Sequence, residues 1–331
     1  MFDISEIEDA QVADETASVT YQNSFELCEK FISQLESVVL GNREALLSAA
    51  IAVFAGGHLL LEDVPGVGKT TLAKAVAKLL GGKLSRIQGN PDLLPSDILG
   101  INVYSPKNNE WEFYPGPIFA DVVLFDELNR TPARSQSALL EAMEETQVSI
   151  DGHTYRLPLN HLIIATQNPT GHRGTYPLVE SQLDRFLVSA HLGYPDISTE
   201  IYLAKSGGTD DILSGLNPLV SIEQLGLYRN KIAEIYVSDK VARYSVEIIA
   251  TTRRLPEIAL GASPRASIAL LACSKVVALL SKRDFVAPED IQLVVKNCLA
   301  HRLIPTERDD EQISHAYLLL DKVLSMVEIP L

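Results

Sequence analysis

Residues 59–71 read LLLEDVPGVGKTT, and this stretch decides the fold. The apolar run Leu59-Leu60-Leu61 has the composition of a short buried strand. It enters a loop that holds Gly66 and Gly68, and from Thr70 to Leu80 the pattern is helical. Strand, glycine-containing loop and helix together make an anion cradle. Backbone N–H groups and the positive end of the helix dipole face the bound phosphates. Pro65, Gly66, Val67, Gly68, Lys69, Thr70 and Thr71 are the expected lining. Lys69 would reach the β- and γ-phosphates of ATP, and the Thr70 hydroxyl would bind Mg²⁺. One position departs from the usual spacing: Asp63 stands where the pattern has glycine.

Two further apolar runs lie downstream. Val122–Phe125 ends in Asp126-Glu127, and Leu162–Thr166 ends in Gln167-Asn168-Pro169. Compact runs of this kind are buried on both faces in parallel sheets, and helical patterns such as Ala133–Glu145 separate them. The expected class is α/β, with helices on both faces of a mostly parallel sheet. An acid at the carboxyl end of a strand parallel to the phosphate-loop strand sits beside that loop. Asp126 is therefore expected to hold Mg²⁺, and Glu127 to orient and activate the attacking water. Asn168 would touch that water or the γ-phosphate; otherwise it is a turn residue before proline.

The chain has 331 residues, 46% apolar and 21% charged, with a formal net charge of −15. That charge repels phosphodiester backbones and argues against a nucleic-acid partner. No apolar run is long enough to span a bilayer, and the acidic start does not read as a signal peptide, so a cytoplasmic location is expected. Cys28, Cys273 and Cys298 are widely spaced in apolar surroundings and read as reduced packing residues.

Residues 1–22 carry Asp3, Glu6, Glu8, Asp9, Asp14 and Glu15 with no Lys or Arg, which reads as a flexible acidic tail. The α/β core is expected over 23–205, a linker over 206–216 and an all-helical domain over 217–331. Ile222–Tyr236, Asp239–Thr252, Pro264–Ser281 and Pro288–Arg302 are its candidate helices. Asp151-Gly152 between two strand-like runs signals a hairpin near 148–157.

Phosphoryl transfer needs positive charge beyond Lys69 and Mg²⁺. Arg185 is one candidate, unless it is a surface residue paired with Asp184. Arg265 is the other. Ser263 as N-cap and Pro264 as first residue put it in the first turn of a helix, against the dipole.

Taken together, these pieces resemble the AAA+ ATPases, and within them the MoxR family. The likeness runs over roughly residues 35–305. It is carried by LLEDVPGVGKTT (60–71), RIQGNPDLLPSDI (86–98), GPIFADVVLFDELNR (116–130), SALLEAMEETQVSIDG (137–152), IIATQNP (163–169), QLDRF (182–186), GASPR (261–265) and HRL (301–303). The resemblance implies a five-stranded P-loop αβα core with a helical lid. Lys69 and Thr70 would be the Walker A residues, and Asp126 and Glu127 the Walker B pair. Asn168 would be sensor 1, Arg185 the arginine finger and Arg265 sensor 2. Gly41 and Asn42, in the segment Val38–Asn42, would lie on the adenine side. A finger acting on a neighbour implies a homo-oligomeric ring, usually a hexamer, with chaperone-like action on client proteins. The family's partner is often a von Willebrand factor A domain protein. Residues near 86–117 resemble the family's helix-2 insert, and the hairpin resembles the one before sensor 1. In related rings such elements face the pore or partner; otherwise the hairpin covers a sheet edge. Trp111, in the insert, reads as a packing residue ahead of a partner-binding one.

Overall fold

The computed structural model describes residues 19–64, 66–168, 176–306 and 312–330. Two helices come first, α1 (Tyr21–Val38) and α2 (Arg43–Ala55). The Thr20 hydroxyl accepts from the Asn23 N–H and starts α1, so Tyr21 and Gln22 belong to a helix rather than to a tail. Residues 1–18 of the expected tail lie outside the described residues. Next come β1 (Leu59–Glu62), α3 (Lys69–Leu79) and β2 (Leu84–Gln88). They are followed by α4 (Pro95–Leu99) and the antiparallel pair β3 (Gly100–Ser105) and β4 (Glu110–Pro115). The core continues with β5 (Val122–Asp126), α5 (Ala133–Glu145), β6 (Gln147–Ile150), β7 (His153–Arg156), β8 (Leu162–Gln167), α6 (Glu180–Leu183) and β9 (Val188–Ala190).

The central sheet has the order β2-β5-β8-β1-β9, and every neighbouring pair is parallel. Alternation along each strand feeds two cores. Leu59 and Leu61 join α1, α2 and α3 on one face, while Leu60 joins Phe125, Leu139 and Phe186 on the other. This is the expected α/β sandwich, with burial on both faces explaining the unbroken apolar runs.

After β9 the chain is almost entirely helical: α7 (Ile197–Ser206), α8 (Asp210–Gly215), α9 (Ile222–Ala233) and α10 (Asp239–Thr252). Strand β10 (Ile258–Leu260), α11 (Pro264–Leu280), α12 (Pro288–Leu299), β11 (Ile304–Pro305) and α13 (Gln312–Met326) complete it. Two expectations need adjustment. The linker at 206–216 contains α8, whose Leu213 is buried in the main core. The lid is not purely helical, because β10 and β11 form a short antiparallel ladder. Nor is its core separate: Leu270, Val277 and Ile291 share one apolar cluster with α2 and Leu59. Cys28, Cys273 and Cys298 are buried and form no disulfide.

The two hairpins form one unit. Phe113 stacks on Tyr155 with ring centroids 4.0 Å apart, and the Asn102 amide donates to Asp151 at 2.8 Å. Asp151 and Gly152 both have positive φ, as the tight turn requires. Trp111 does not pack inward as expected: it is 71% exposed and meets the ring of Tyr104 edge-on.

Candidate nucleotide site

Gly66 and Gly68 adopt φ of 91° and 97°, a region open to glycine at little cost. Space in front of both is free: nothing lies within 4 Å of where a Cβ would stand. Gly68 is the N-cap of α3 and supplies no side-chain cap, so the first-turn N–H groups remain available to a ligand. Lys69 is buried, and its ammonium donates to the Asp63 carbonyl at 2.8 Å. Burial pulls that ammonium below the usual lysine range, while Asp126, Asp63 and Glu127 oppose the shift.

The Walker-type acids stand one strand away from this loop, at the end of β5, with β8 between. Thr166 of β8 clasps them. Its hydroxyl donates to Asp126 Oδ1 at 2.7 Å and accepts from the Glu127 N–H at 2.9 Å. Glu127 has φ of 58°, a strained setting for a residue with a Cβ. Its carboxylate accepts from Asn168 Nδ2 at 2.9 Å and from Gln88 Nε2 at 3.1 Å. Arg86 donates to Asp126 Oδ2 at 2.7 Å. The backbone of Gly89 presses so closely on Glu127 that a Cβ there would stand 2.2 Å from its carbonyl oxygen.

An open cleft of about 470 Å³ joins Gly66, Gly68, Lys69, Thr70, Thr71, Arg86, Gln88, Asp126, Glu127 and Asn168. Uncapped N–H groups, an ammonium and the Thr70 hydroxyl on one side, with two carboxylates on the other, fit a polyphosphate with a divalent cation. Asn168 Oδ1 is buried without a partner, an acceptor left over at the cleft wall. Pro65 lies outside the described residues, and Val67 packs against the main core rather than lining the cleft.

Asp63 has a role of its own. It is buried, and its carboxylate accepts from the N–H groups of Leu192 at 2.7 Å and Gly193 at 3.1 Å. Glycine could not make these bonds, which accounts for the departure from the usual spacing. Asn42 caps α2 by accepting from the Glu44 N–H, and its amide donates to the His191 carbonyl at 3.2 Å. Gly41 and Asn42 therefore lie against the same segment that Asp63 anchors, outside the lining of the phosphate cleft.

Arg185 and Arg265 also lie outside that lining. They meet each other at Glu144, on the last turn of α5. Arg185 is not paired with Asp184. The Asp184 carboxylate instead accepts from the Ser263 hydroxyl at 2.8 Å and faces Arg302 at 3.6 Å. Ser263 holds the N-cap position of α11 but spends its hydroxyl on Asp184 and caps nothing. Arg302 and His301 both donate to the Phe186 carbonyl, fixing the lid onto the segment that carries Arg185.

Four contributors escape sequence reading: Arg86, Gln88, Thr166 and Glu144. For the first two a signal exists. They are polar residues two apart on one strand, and period-2 alternation puts them on one face.

A P-loop and a paired acid on one parallel sheet, followed by a helical lid, define a nucleotide-binding protein of the AAA+ class. The family model described as ATPase family associated with various cellular activities (AAA) matches residues 58–188, and an AAA lid domain matches 250–316. The chain is 41% identical over 304 residues to the uncharacterised protein YeaC of Bacillus subtilis, covering 92% of this chain and 95% of that one. It is 36% identical over 313 residues to Chaperone MoxR1 of Mycobacterium tuberculosis, covering 91% and 82%. A crystal structure assigned as an ATPase from Cytophaga hutchinsonii superposes with a TM-score of 0.84 at 34% identity, covering 98% and 99%. The chain belongs to the MoxR family of AAA+ ATPases.

Proposed function

We propose that this chain hydrolyses ATP in a ring of identical subunits and uses the cycle, chaperone-like, to remodel partner proteins. The carrying observation is a division of charge. Lys69, Thr70, Asp126 and Glu127 share one cleft, while Arg185 and Arg265 stand together elsewhere on the chain. Arg86, which lines the cleft, is held by Asp126, and Arg185 and Arg265 stand away from it, which supports completion of each site by a neighbouring copy.

Within the cleft, Lys69 would exchange the Asp63 carbonyl for the β- and γ-phosphates. Thr70 and Asp126 would hold magnesium, which would neutralise phosphate charge. Glu127 would accept the proton of the attacking water, and Asn168 would orient that water through the bond it already makes to Glu127. Arg185 and Arg265 of the neighbour would stabilise charge on the transferring oxygens.

Chaperone-like action rests on the similarity to Chaperone MoxR1. A hexamer and a von Willebrand factor A domain partner follow from the family likeness. The −15 charge favours protein clients over nucleic acid. Among the described residues, no helix is long and apolar enough to cross a membrane. A second reading, a nucleotide switch with slow turnover, is favoured by one observation: Asp126 and Glu127 are both already paired within the chain, to Arg86 and to Gln88 and Asn168.

The test is ATP turnover and oligomer mass for wild type and Glu127→Gln across protein concentration. Turnover should rise with assembly and collapse in Glu127→Gln, with ATP still bound. Tight binding without turnover or assembly would favour the switch.

A further inference from the structure

We propose that Glu144 is a positioning residue: it holds Arg185 and Arg265 side by side as one cationic unit that is offered to a neighbouring copy's triphosphate. The inference rests on the ring reading above and adds to it the group that makes the two arginines act together.

Arg185 follows α6 in the core, and Arg265 lies in the first turn of α11 in the lid. Nothing local brings them together. Glu144 does, and it uses one oxygen for each: Oε2 accepts from Arg185 Nη2 at 2.8 Å, and Oε1 accepts from Arg265 Nη2. Two guanidiniums at such close quarters repel each other, and a carboxylate between them removes that repulsion. Arg265 needs the compensation on a second count. It stands against the dipole of α11, whose first turn holds no acid.

The grip leaves donors for a ligand. Arg185 Nε is buried without a partner, and the Arg265 side chain is 56% exposed. Glu144 is itself 30% exposed, so the cluster opens to the surface rather than closing as a core ion pair. A polyphosphate, with several anionic oxygens, matches two forks presented together. The Asp184–Ser263 bond and the His301–Arg302 grip on Phe186 brace both segments from behind. Glu144 is the part of the assembly that touches the two guanidiniums.

The test is steady-state ATP turnover of the full chain carrying Glu144→Gln, alone and mixed with Glu127→Gln subunits. Loss of positioning should lower kcat about 10-fold or more. The KM for ATP should change little, because the variant's own cleft is intact. Glu144→Asp, which keeps the charge on a shorter arm, should give an intermediate kcat. Glu127→Gln subunits cannot turn over but present intact arginines, so mixing should raise turnover per Glu144→Gln subunit. Arg185→Ala mixed with Glu127→Gln is the control for the ring itself. Wild-type kcat in Glu144→Gln would overturn the proposal. So would failure of Glu127→Gln to rescue Glu144→Gln while it does rescue Arg185→Ala. Rescue of neither would bring down the ring reading and this proposal with it. Should Glu144→Gln lose ATP binding, Glu144→Asp takes its place in the mixing experiment, with the same rescue expected.

Discussion

Replacing Asp63 with glycine brings the loop closer to the usual P-loop spacing, and it should nevertheless weaken the protein. The carboxylate takes a buried N–H from Leu192 and a partly buried one from Gly193. Hydrogen bonds to a charged group contribute roughly 1.5–3 kcal/mol each, so the gross loss is about 3–6 kcal/mol. Relief of the buried carboxylate's desolvation and entry of water at Gly193 return part of this. Glycine adds chain entropy in the unfolded state, roughly 0.5–1 kcal/mol. The net expectation is about 2–3 kcal/mol of destabilisation. At about 2 °C for each kcal/mol in a large chain, Tm should fall by about 5 °C. Thermal unfolding of nucleotide-free protein, followed by circular dichroism, reads this directly. ATP affinity should also fall a few-fold, because the anchored segment meets Gly41 and Asn42. Asp63→Asn, which keeps one acceptor oxygen, should lose about half as much. Unfolding of Asp63→Gly at or above the wild-type temperature would refute the reasoning.

Three more expectations concern the site and its supports. Gln88→Leu removes a donor to Glu127, so turnover should drop while nucleotide affinity, measured by equilibrium binding, holds; equal losses in both would contradict the assignment. Arg86→Ala frees an oxygen of Asp126, so the Mg²⁺ concentration for half-maximal turnover should fall several-fold, and a rise would show that Arg86 serves the phosphates instead. His58 and His301 are buried and held neutral, with pKa values pushed down to about 3, mainly by desolvation. The unfolded chain binds their protons near pH 6.5 and the fold does not, so their stabilisation is whole above that pH and is lost as pH falls toward 3. Urea unfolding should show about 3–4 kcal/mol less stability at pH 5 than at pH 7 from these two residues. A flat profile over that interval would count against neutral burial.

The sequence by itself determined the elements and which polar residues stand at their ends. Leu59–Leu61 followed by Gly66, Gly68 and Lys69 specifies strand, loop and helix, because burial on both faces, positive φ and an uncapped helix start are all local demands. The lid helices are legible for the same reason. Ser221 with Gln224 forms a capping box, Ser238 caps α10, and Pro264 and Pro288 open α11 and α12. The acids at the end of β5 were legible as an apolar run ending in charge.

Tertiary structure alone decided what those residues touch. Thr166 clasps Asp126 only because β8 lies beside β5 in register, and the order β2-β5-β8-β1-β9 is written in no local pattern. Asp63 finds Leu192 and Gly193 across the fold, Ser263 turns from its helix to Asp184, and Glu144 gathers two arginines from different parts of the chain. Periodicity reports the environment of a residue along its own element, over one or two turns or a few pleats. A hydrogen bond between distant segments depends on strand order, register and lid docking, which are set by the packing of the whole core.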